Sequence, residues 1–323
     1  MGILLQDPEA SGERPDLSAK SKHTDLQRLR SEQNLPAAAD LDQKSALEIA
    51  TLVNDQDATI APAVRRALPQ IARAINLVAA GIRNGGRLIY VGAGTSGRLG
   101  ALDASEIPPT FNTHPRTVQF IMAGGPKALA DSTEASEDDT APAIAEMKKR
   151  EPGKHDIVLG IATSGRTPFT IAALEYARSR GAHTIALTCN RDSPLERAAD
   201  FAIVTEVGPE VLAGSSRMKA GTAHKMVLNM ISTGAMTRLG YVYGNLMVSV
   251  WTKNEKLVQR ATRILEQATG ADHDTAARTL KAAGNRTPVA VVMLAANVTR
   301  SQATSALKKT KGHVRKAIAT AKS

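Results

Sequence analysis

The pattern of apolar and polar positions divides the chain into three parts. Residues 1–22 are polar, contain Pro8, Gly12 and Pro15, show no apolar period, and read as a disordered extension. Apolar residues then fall at helical spacing. Leu47, Ile49, Ala50, Leu52 and Val53 come first. Val64, Leu68, Ile71, Ile75 and Val78 follow within a helix predicted over Ile60–Ile82 and stopped by Gly85-Gly86. A regular alternation comes next. Short aliphatic runs at Arg87–Val91, Val118–Ala123, Asp156–Ala162, Thr184–Thr188 and Phe201–Thr205 read as strands, because a strand covered on both faces is apolar at nearly every position. Helices are predicted from the turn Gly92–Gly97, over Lys127–Arg150 with a break near Asp138-Asp139, over Thr167–Arg180 closed by Gly181, and over Ser215–Leu239. Such repeats predict an α/β fold: a doubly wound, mostly parallel sheet flanked by helices, spanning residues 23–252. Residues 253–323 carry helical patterns only. Leu257–Thr269, Asp274–Ala283 (with Asp272 or Asp274 as N-cap), a helix beginning at Val289–Leu294, and Ser301–Lys309 predict a small all-helical C-terminal appendage.

Composition narrows the function classes. Aromatics are only 3% of residues, so Ala, Val, Ile and Leu must fill the core. Cys189 is the single cysteine, which excludes an internal disulfide and agrees with a reducing compartment. Ile3-Leu4-Leu5 is followed at once by Asp7, Pro8 and Glu9, unlike a secretory signal, and no apolar run reaches the roughly 18 residues of a membrane span. A soluble cytoplasmic protein with no membrane partner is expected. The net charge of +10 reads either as a nucleic-acid surface or as attraction for anionic small molecules. The charge reads as spread along the chain, with a local excess at Lys308, Lys309, Lys311, Arg315, Lys316 and Lys322; with few aromatics to stack on bases, the small-molecule reading is preferred.

Two turns are built for an anion. Val91-Gly-Ala-Gly-Thr-Ser-Gly-Arg98 leads from the first strand into a helix, whose N-terminus offers free N–H groups and the positive end of its dipole. Ile161-Ala-Thr-Ser-Gly-Arg-Thr-Pro168 repeats the Ser-Gly-Arg step after the third strand. Ligands of open α/β sheets sit at the carboxyl ends of strands, so Gly94, Thr95 and Ser96 with Ser164, Gly165, Arg166 and Thr167 are candidate phosphate and sugar ligands. Gly92–Gly97 also fits the GxGxxG fingerprint of a dinucleotide site. That reading fails on the next strand, which ends Ile121-Met-Ala-Gly-Gly125 with no carboxylate for a ribose.

Together with Leu102-Asp-Ala-Ser-Glu-Ile-Pro-Pro-Thr110, Gly214-Ser-Ser-Arg-Met-Lys-Ala-Gly-Thr-Ala223, Asn229-Met230, Gly244-Asn-Leu-Met247 and Asn254-Glu-Lys-Leu257, these turns resemble the N-acetylmuramic acid 6-phosphate etherase family of the sugar isomerase (SIS) fold, over about residues 23–320. The resemblance implies a homodimeric lyase of peptidoglycan recycling that splits the lactyl ether of an amino-sugar phosphate, giving N-acetylglucosamine 6-phosphate and D-lactate. It implies no metal and no nucleotide cofactor. It places the catalytic carboxylates at Glu106, in Asp-Ala-Ser-Glu, and at Glu137, in Glu134-Ala-Ser-Glu-Asp138. Ile107 stands where the family pattern has cysteine, and Phe111–Pro115 also departs from it.

The chemistry suits two carboxyl groups. The ether lies beta to the aldehyde carbon of the open-chain sugar, so a base must take the proton on carbon 2 while an acid protonates the departing lactate oxygen. Glu137 is assigned the first task; Glu106 is assigned the second, and then activation of water. By position alone, Glu106 reads as a carboxylate ending a helix against Pro108-Pro109, where the dipole disfavours negative charge. By position alone, Glu137 lies in an acidic cluster (Glu134, Glu137, Asp138, Asp139) that reads more readily as solvated surface or the first turn of a helix. Glu210, Ser215, Ser216 and Lys219 are further candidate ligands, with Ser215 or Ser216 alternatively an N-cap. His183 and His224 read as surface or packing residues and Cys189 as a small buried side chain; no zinc-ligand spacing is present. A non-catalytic phosphosugar sensor, like glucokinase regulatory proteins, and an isomerase or deacetylating enzyme of the same fold are the competing readings.

Overall fold

Five parallel strands form the centre: β1 (Leu88–Gly92), β2 (Val118–Met122), β3 (Ile157–Ile161), β4 (His183–Thr188) and β5 (Phe201–Val204), in the order β2-β1-β3-β4-β5. The computed structural model describes residues 29–131, 134–250, 252 and 254–323; the expectation for residues 1–22 lies outside the described residues. Every residue of β1 and β3 is buried, which is why they read as unbroken aliphatic runs. Strand periodicity sorts these residues onto two faces. Leu88, Tyr90, Leu159 and Ile185 meet α2 (Ile60–Arg66), α3 (Leu68–Arg83), α4 (Gly94–Phe111) and α8 (Lys219–Leu239). Ile89, Val91, Val158 and Ala186 meet α5 (Thr140–Arg150), α6 (Pro168–Ser179) and α7 (Pro194–Ala198) on the other face. Ahead of these, α1 (Ala46–Asp57) opens with a capping box made by Ser45 and Glu48.

The seam between β1 and β3 is clamped at its lower end. Arg87 donates to Asp156 from its backbone N–H (2.8 Å), Nε (3.0 Å) and Nη2 (2.6 Å). Burial pushes the Asp156 carboxyl up, but Arg87 and the Gly153 N–H outweigh it and hold the group below its usual range.

The C-terminal helices α9 (Glu255–Thr269), α10 (His273–Ala282), α11 (Thr287–Ala296), α12 (Arg300–Lys309) and α13 (Val314–Lys322) gather around their own apolar cluster, which includes Val248, Leu265, Leu280, Val291 and Val314. Asn254, Asp272 and Thr299 cap α9, α10 and α12 through their side chains. Among the described residues, no helix is long and apolar enough to cross a membrane.

Several predicted elements are corrected. The single helix over Ile60–Ile82 is two, divided at Ala67, because Pro69 has no N–H to give and its ring blocks the carbonyl of Arg65. Lys127–Arg150 is helical only from Thr140, where Asp139 caps α5 by accepting from the Ala141 N–H; Gly125–Leu129 and Glu134–Glu137 are 3-10 turns. The helix predicted from Ser215 begins at Lys219. Helix α4 runs through Pro108 and Pro109 to Phe111 and closes on Asn112 in the left-handed region, so Glu106 is an internal residue of α4 and not its end.

Candidate active site

Strand order decides where a ligand can sit. From β1 the chain moves outward to β2, then returns across β1 to β3 and continues the other way. The β1–β3 junction is therefore the point where the winding reverses, and its carboxyl end is the crevice of an open α/β sheet. Both hydroxyl-rich turns open there, since Gly92 and Ile161 are register partners.

In the first turn, Ala93 is extended and Gly94 enters α4 with φ of 50°, a left-handed conformation that costs a non-glycine residue about 1 kcal/mol or more. The Gly97 N–H donates to the Ala93 carbonyl, so the N–H groups of Gly94, Thr95 and Ser96 have no acceptor within the helix, and no side chain caps it. They point their donors and the dipole end at the crevice. In the second turn, the Arg166 N–H donates to Ser164 Oγ (3.2 Å), Gly165 is buried, and Thr167 leads into α6 without a capping side-chain bond. The turn is braced at Thr163, whose carbonyl accepts from the Cys189 N–H and from Asn190 Nδ2 (2.9 Å).

The start of α8 closes a third side. A Cβ built on Gly221 would lie 3.4 Å from Thr95 Cγ2 and 3.5 Å from the Ser216 carbonyl oxygen, so the half-buried Ser215–Ser216 segment adjoins the first turn. Glu210 and Lys219 are differently employed. Glu210 is 1% exposed, and its two oxygens accept the N–H groups of Lys219 and Ala220, each at 2.9 Å. It acts as the carboxylate cap of α8. Burial pushes this carboxyl up, while the two N–H groups and Lys219 pull it back. The Lys219 ammonium donates to Gln56 Oε1 of α1 (2.9 Å), and burial holds it below the usual lysine range.

The two glutamates are not brought together within one chain. The 3-10 turn Glu134–Glu137 packs on α6 and carries Glu137 to the first turn, with Oε1 3.4 Å from where a Gly94 Cβ would sit. Glu106 lies twelve residues further along α4, about 18 Å at 1.5 Å per residue. It is exposed and lines a separate cleft of about 460 Å³ with Thr110, Asn229, Thr233, Asn245 and Met247. A larger cavity, about 1020 Å³, runs along the edge strand β2 and holds none of the predicted site residues.

Two supports escaped the sequence reading. Arg98, from the first Ser-Gly-Arg step, donates to the carbonyls of Leu129 (3.1 Å) and Asp131 (3.0 Å), tethering the segment that leads to Glu137. Asp103, on the Glu106 cleft and one helical turn before it, accepts from the Tyr90 hydroxyl (2.7 Å) and Ser232 Oγ (3.0 Å), locking α4 to β1 and α8. Burial raises the Asp103 carboxyl, opposed by these two bonds, and raises Tyr90 far above the usual phenol. The recurrence of Ser-Gly-Arg was the signal for Arg98; nothing in spacing marks the Asp103 network.

His224 is fully buried 3.5 Å from the Cys189 sulfur. Burial lowers the imidazole to about 4 and pushes the thiol to about 12, so both are neutral near pH 7. Among the described residues, no three His, Cys, Asp or Glu side chains could hold a metal ion. The arrangement can grip an anion between two turns and hold one carboxylate over it, with a second carboxylate facing outward from a neighbouring cleft.

Comparison with known proteins identifies the family. A model of the glucokinase regulatory protein N-terminal SIS domain matches residues 70–178, and a SIS domain model matches residues 140–233. N-acetylmuramic acid 6-phosphate etherase 2 of Vibrio parahaemolyticus is 48% identical over 294 residues, covering 91% of this chain and 98% of the relative. The N-acetylmuramic acid 6-phosphate etherase of Symbiobacterium thermophilum is 55% identical, covering 85% and 91%, and that of Streptomyces coelicolor 49%, covering 95% and 97%. At this identity over nearly the whole length of the relatives, the chain belongs to the N-acetylmuramic acid 6-phosphate etherase family.

Proposed function

We propose that this chain is a carbon–oxygen lyase of the cytoplasm that cleaves the D-lactyl ether of N-acetylmuramic acid 6-phosphate. The reading rests above all on Glu137, whose carboxylate lies over Gly94 at the crevice where two anion-binding turns open side by side. The sugar phosphate binds with its phosphate on the N–H groups and hydroxyls of Thr95, Ser96, Ser164 and Thr167. Glu137 takes the proton from carbon 2. The electron pair forms the carbon 2–carbon 3 double bond, the carbon 3–oxygen bond breaks, and Glu106 gives its proton to the lactate oxygen. Water then adds back, hydroxyl to carbon 3 and proton to carbon 2, leaving N-acetylglucosamine 6-phosphate and D-lactate. No step calls for a metal or a nucleotide.

The separation of the two carboxylates within one chain is accommodated by a homodimer in which Glu106 of a second copy faces the crevice of the first. An apolar groove of about 540 Å³ between α3 and α8, with Leu68, Ile75 and Met230 on it, shares Asn229 and Thr233 with the Glu106 cleft and suits such a contact. Release of D-lactate from N-acetylmuramic acid 6-phosphate tests the activity. Wild type that binds the sugar phosphate and releases none favours a sensor, as in the glucokinase regulatory proteins. Glu106→Gln and Glu137→Gln are each expected to lose at least a hundredfold in kcat. Mixed and re-equilibrated, the two inactive variants are expected to recover about a quarter of wild-type activity, because half the two-fold dimers are hybrids with one intact site. No recovery refutes the shared site.

A further inference from the structure

The positive charge of this protein is concentrated at one end. Residues 253–323 carry fourteen Lys and Arg against four Asp and Glu, a surplus equal to the +10 of the whole chain, so residues 1–252 are neutral overall and the reading of charge spread along the chain is corrected. No acidic residue follows Asp274, whereas ten cations do, from Arg278 to Lys322, and all ten are exposed. Among the described residues, none of the ten pairs with a carboxylate.

The part of this surface around His313, Arg315 and Lys316 adjoins the Glu106 cleft. Tyr243, Leu246 and Met247 pack on the core of the C-terminal helices, while Gly244, Asn245 and Met247 line the cleft. The Arg315 guanidinium lies 4.7 Å over the Tyr243 ring. His313 fills the space beside Gly240, just past the end of α8. Burial, and then the charges of Lys316, Arg83 and Arg315, hold His313 below its usual range, so these cations converge on one spot with no carboxylate among the contributing neighbours.

The surface lacks what other polyanions would use. No Phe, Tyr or Trp occurs from residue 254 to 323 to stack on bases. Among the described residues, the exposed large hydrophobic side chains, such as Leu47, Leu68 and Leu102, all lie outside it, leaving none of them to enter a lipid interface. Beside it is a cleft holding a candidate catalytic carboxylate, and the ligand of the proposed reaction, on which this inference rests, carries both a phosphate and a carboxylate. We infer that the C-terminal helices form an electrostatic funnel: Lys308, Lys309, Lys311, Arg315 and Lys316, with Arg83, concentrate multiply anionic sugar phosphate at the mouth of the Glu106 cleft. Exposed charges act this way over about one Debye length, 8–10 Å near physiological salt, so the effect is lost as salt rises.

The test compares wild type with the fourfold variant Lys308→Glu, Lys309→Glu, Lys311→Glu and Lys316→Glu, and with the same positions changed to Gln should charge reversal impair folding. Stopped-flow association with N-acetylmuramic acid 6-phosphate is followed from about 0.02 to 0.5 M salt through the fluorescence of Trp251, the single tryptophan, alongside D-lactate release. The expected result is an association rate constant about tenfold or more below wild type at low salt, convergence at high salt, and an unchanged kcat. Equal association rates at low salt overturn the inference. A salt-dependent difference in association without lactate release by wild type sustains the funnel and removes the proposed reaction alone. Duplex DNA binding lost in the variant, with sugar-phosphate association unchanged, overturns the funnel in favour of a nucleic-acid surface.

Discussion

Replacing Glu210 by alanine separates a ligand from a cap. In the structure both oxygens of this buried side chain accept N–H groups at the start of α8. Alanine leaves two buried donors unsatisfied, at about 1–3 kcal/mol each, and removes a negative charge from a helix N-terminus. Part of this is returned, because the carboxylate no longer has to be kept out of water, as its raised pKa records. The net loss is about 3 kcal/mol. Unfolding entropy of about 2.1 cal/mol/K per residue gives roughly 0.7 kcal/mol/K for the 323-residue chain, so the melting temperature should fall by about 4–5 °C. Circular dichroism melts without ligand read this directly. Glu210→Gln keeps one acceptor but turns an amide NH2 toward a helix N–H, and is expected to recover no more than half of the loss. A residue that only gripped the substrate would behave otherwise, with an unchanged melt and a KM raised about tenfold for each 1.4 kcal/mol of binding energy removed. Glu210→Ala melting within a degree of wild type refutes the assignment of Glu210 as a cap.

Two further outcomes follow from packing and from protonation. Gly97→Ala puts a Cβ 2.7 Å from the Gly92 carbonyl oxygen and 2.7 Å from Met122 Cγ; with backbone on one side, the turn must shift, costing about 1–3 kcal/mol in urea unfolding and at least ten times in lactate release, and unchanged values for both would contradict the close packing. For His224 the folded pKa of about 4 lies below the unfolded 6.5, so the unfolded state binds the extra proton and stability falls as pH drops from 6.5 to 4, by about 3 kcal/mol at most. Urea midpoints at pH 7, 5.5 and 4.5 should show this limb in wild type and a shallower one in His224→Gln; superimposable acid limbs would show that the imidazole does not govern it.

How far the sequence led can be read from particular residues. The strands were legible because both faces are covered, so Leu88-Ile-Tyr-Val and Ile157-Val-Leu are apolar throughout, and glycines mark the turns that follow β1 and β3. Periodicity failed where proline chemistry acted. Pro69 divides a helix whose apolar spacing runs on across the break. Pro108 and Pro109 do the opposite: they lie so near the end of α4 that little of the hydrogen-bond ladder remains to be lost. The two turns were visible because local motifs carry local geometry. The task of Glu210 was not, because it caps a helix beginning nine residues later, across a loop with no capping signature. The charge asymmetry was present in the composition, but its meaning depends on which cations are exposed and on what stands beside them.

The seam between β1 and β3 joins segments 69 positions apart, and the Arg87–Asp156 clamp holds only its lower end. A molecule gripping both turns fastens the upper end. Its binding energy then acts on a pairing between segments distant in the chain, which must meet before either turn is useful. At a concentration one hundred times Kd, the protein gains about 2.7 kcal/mol against unfolding. Substrate supply thus sets how long the sheet resists opening, so in a starved cell this enzyme would be cleared by proteases sooner than in a fed one.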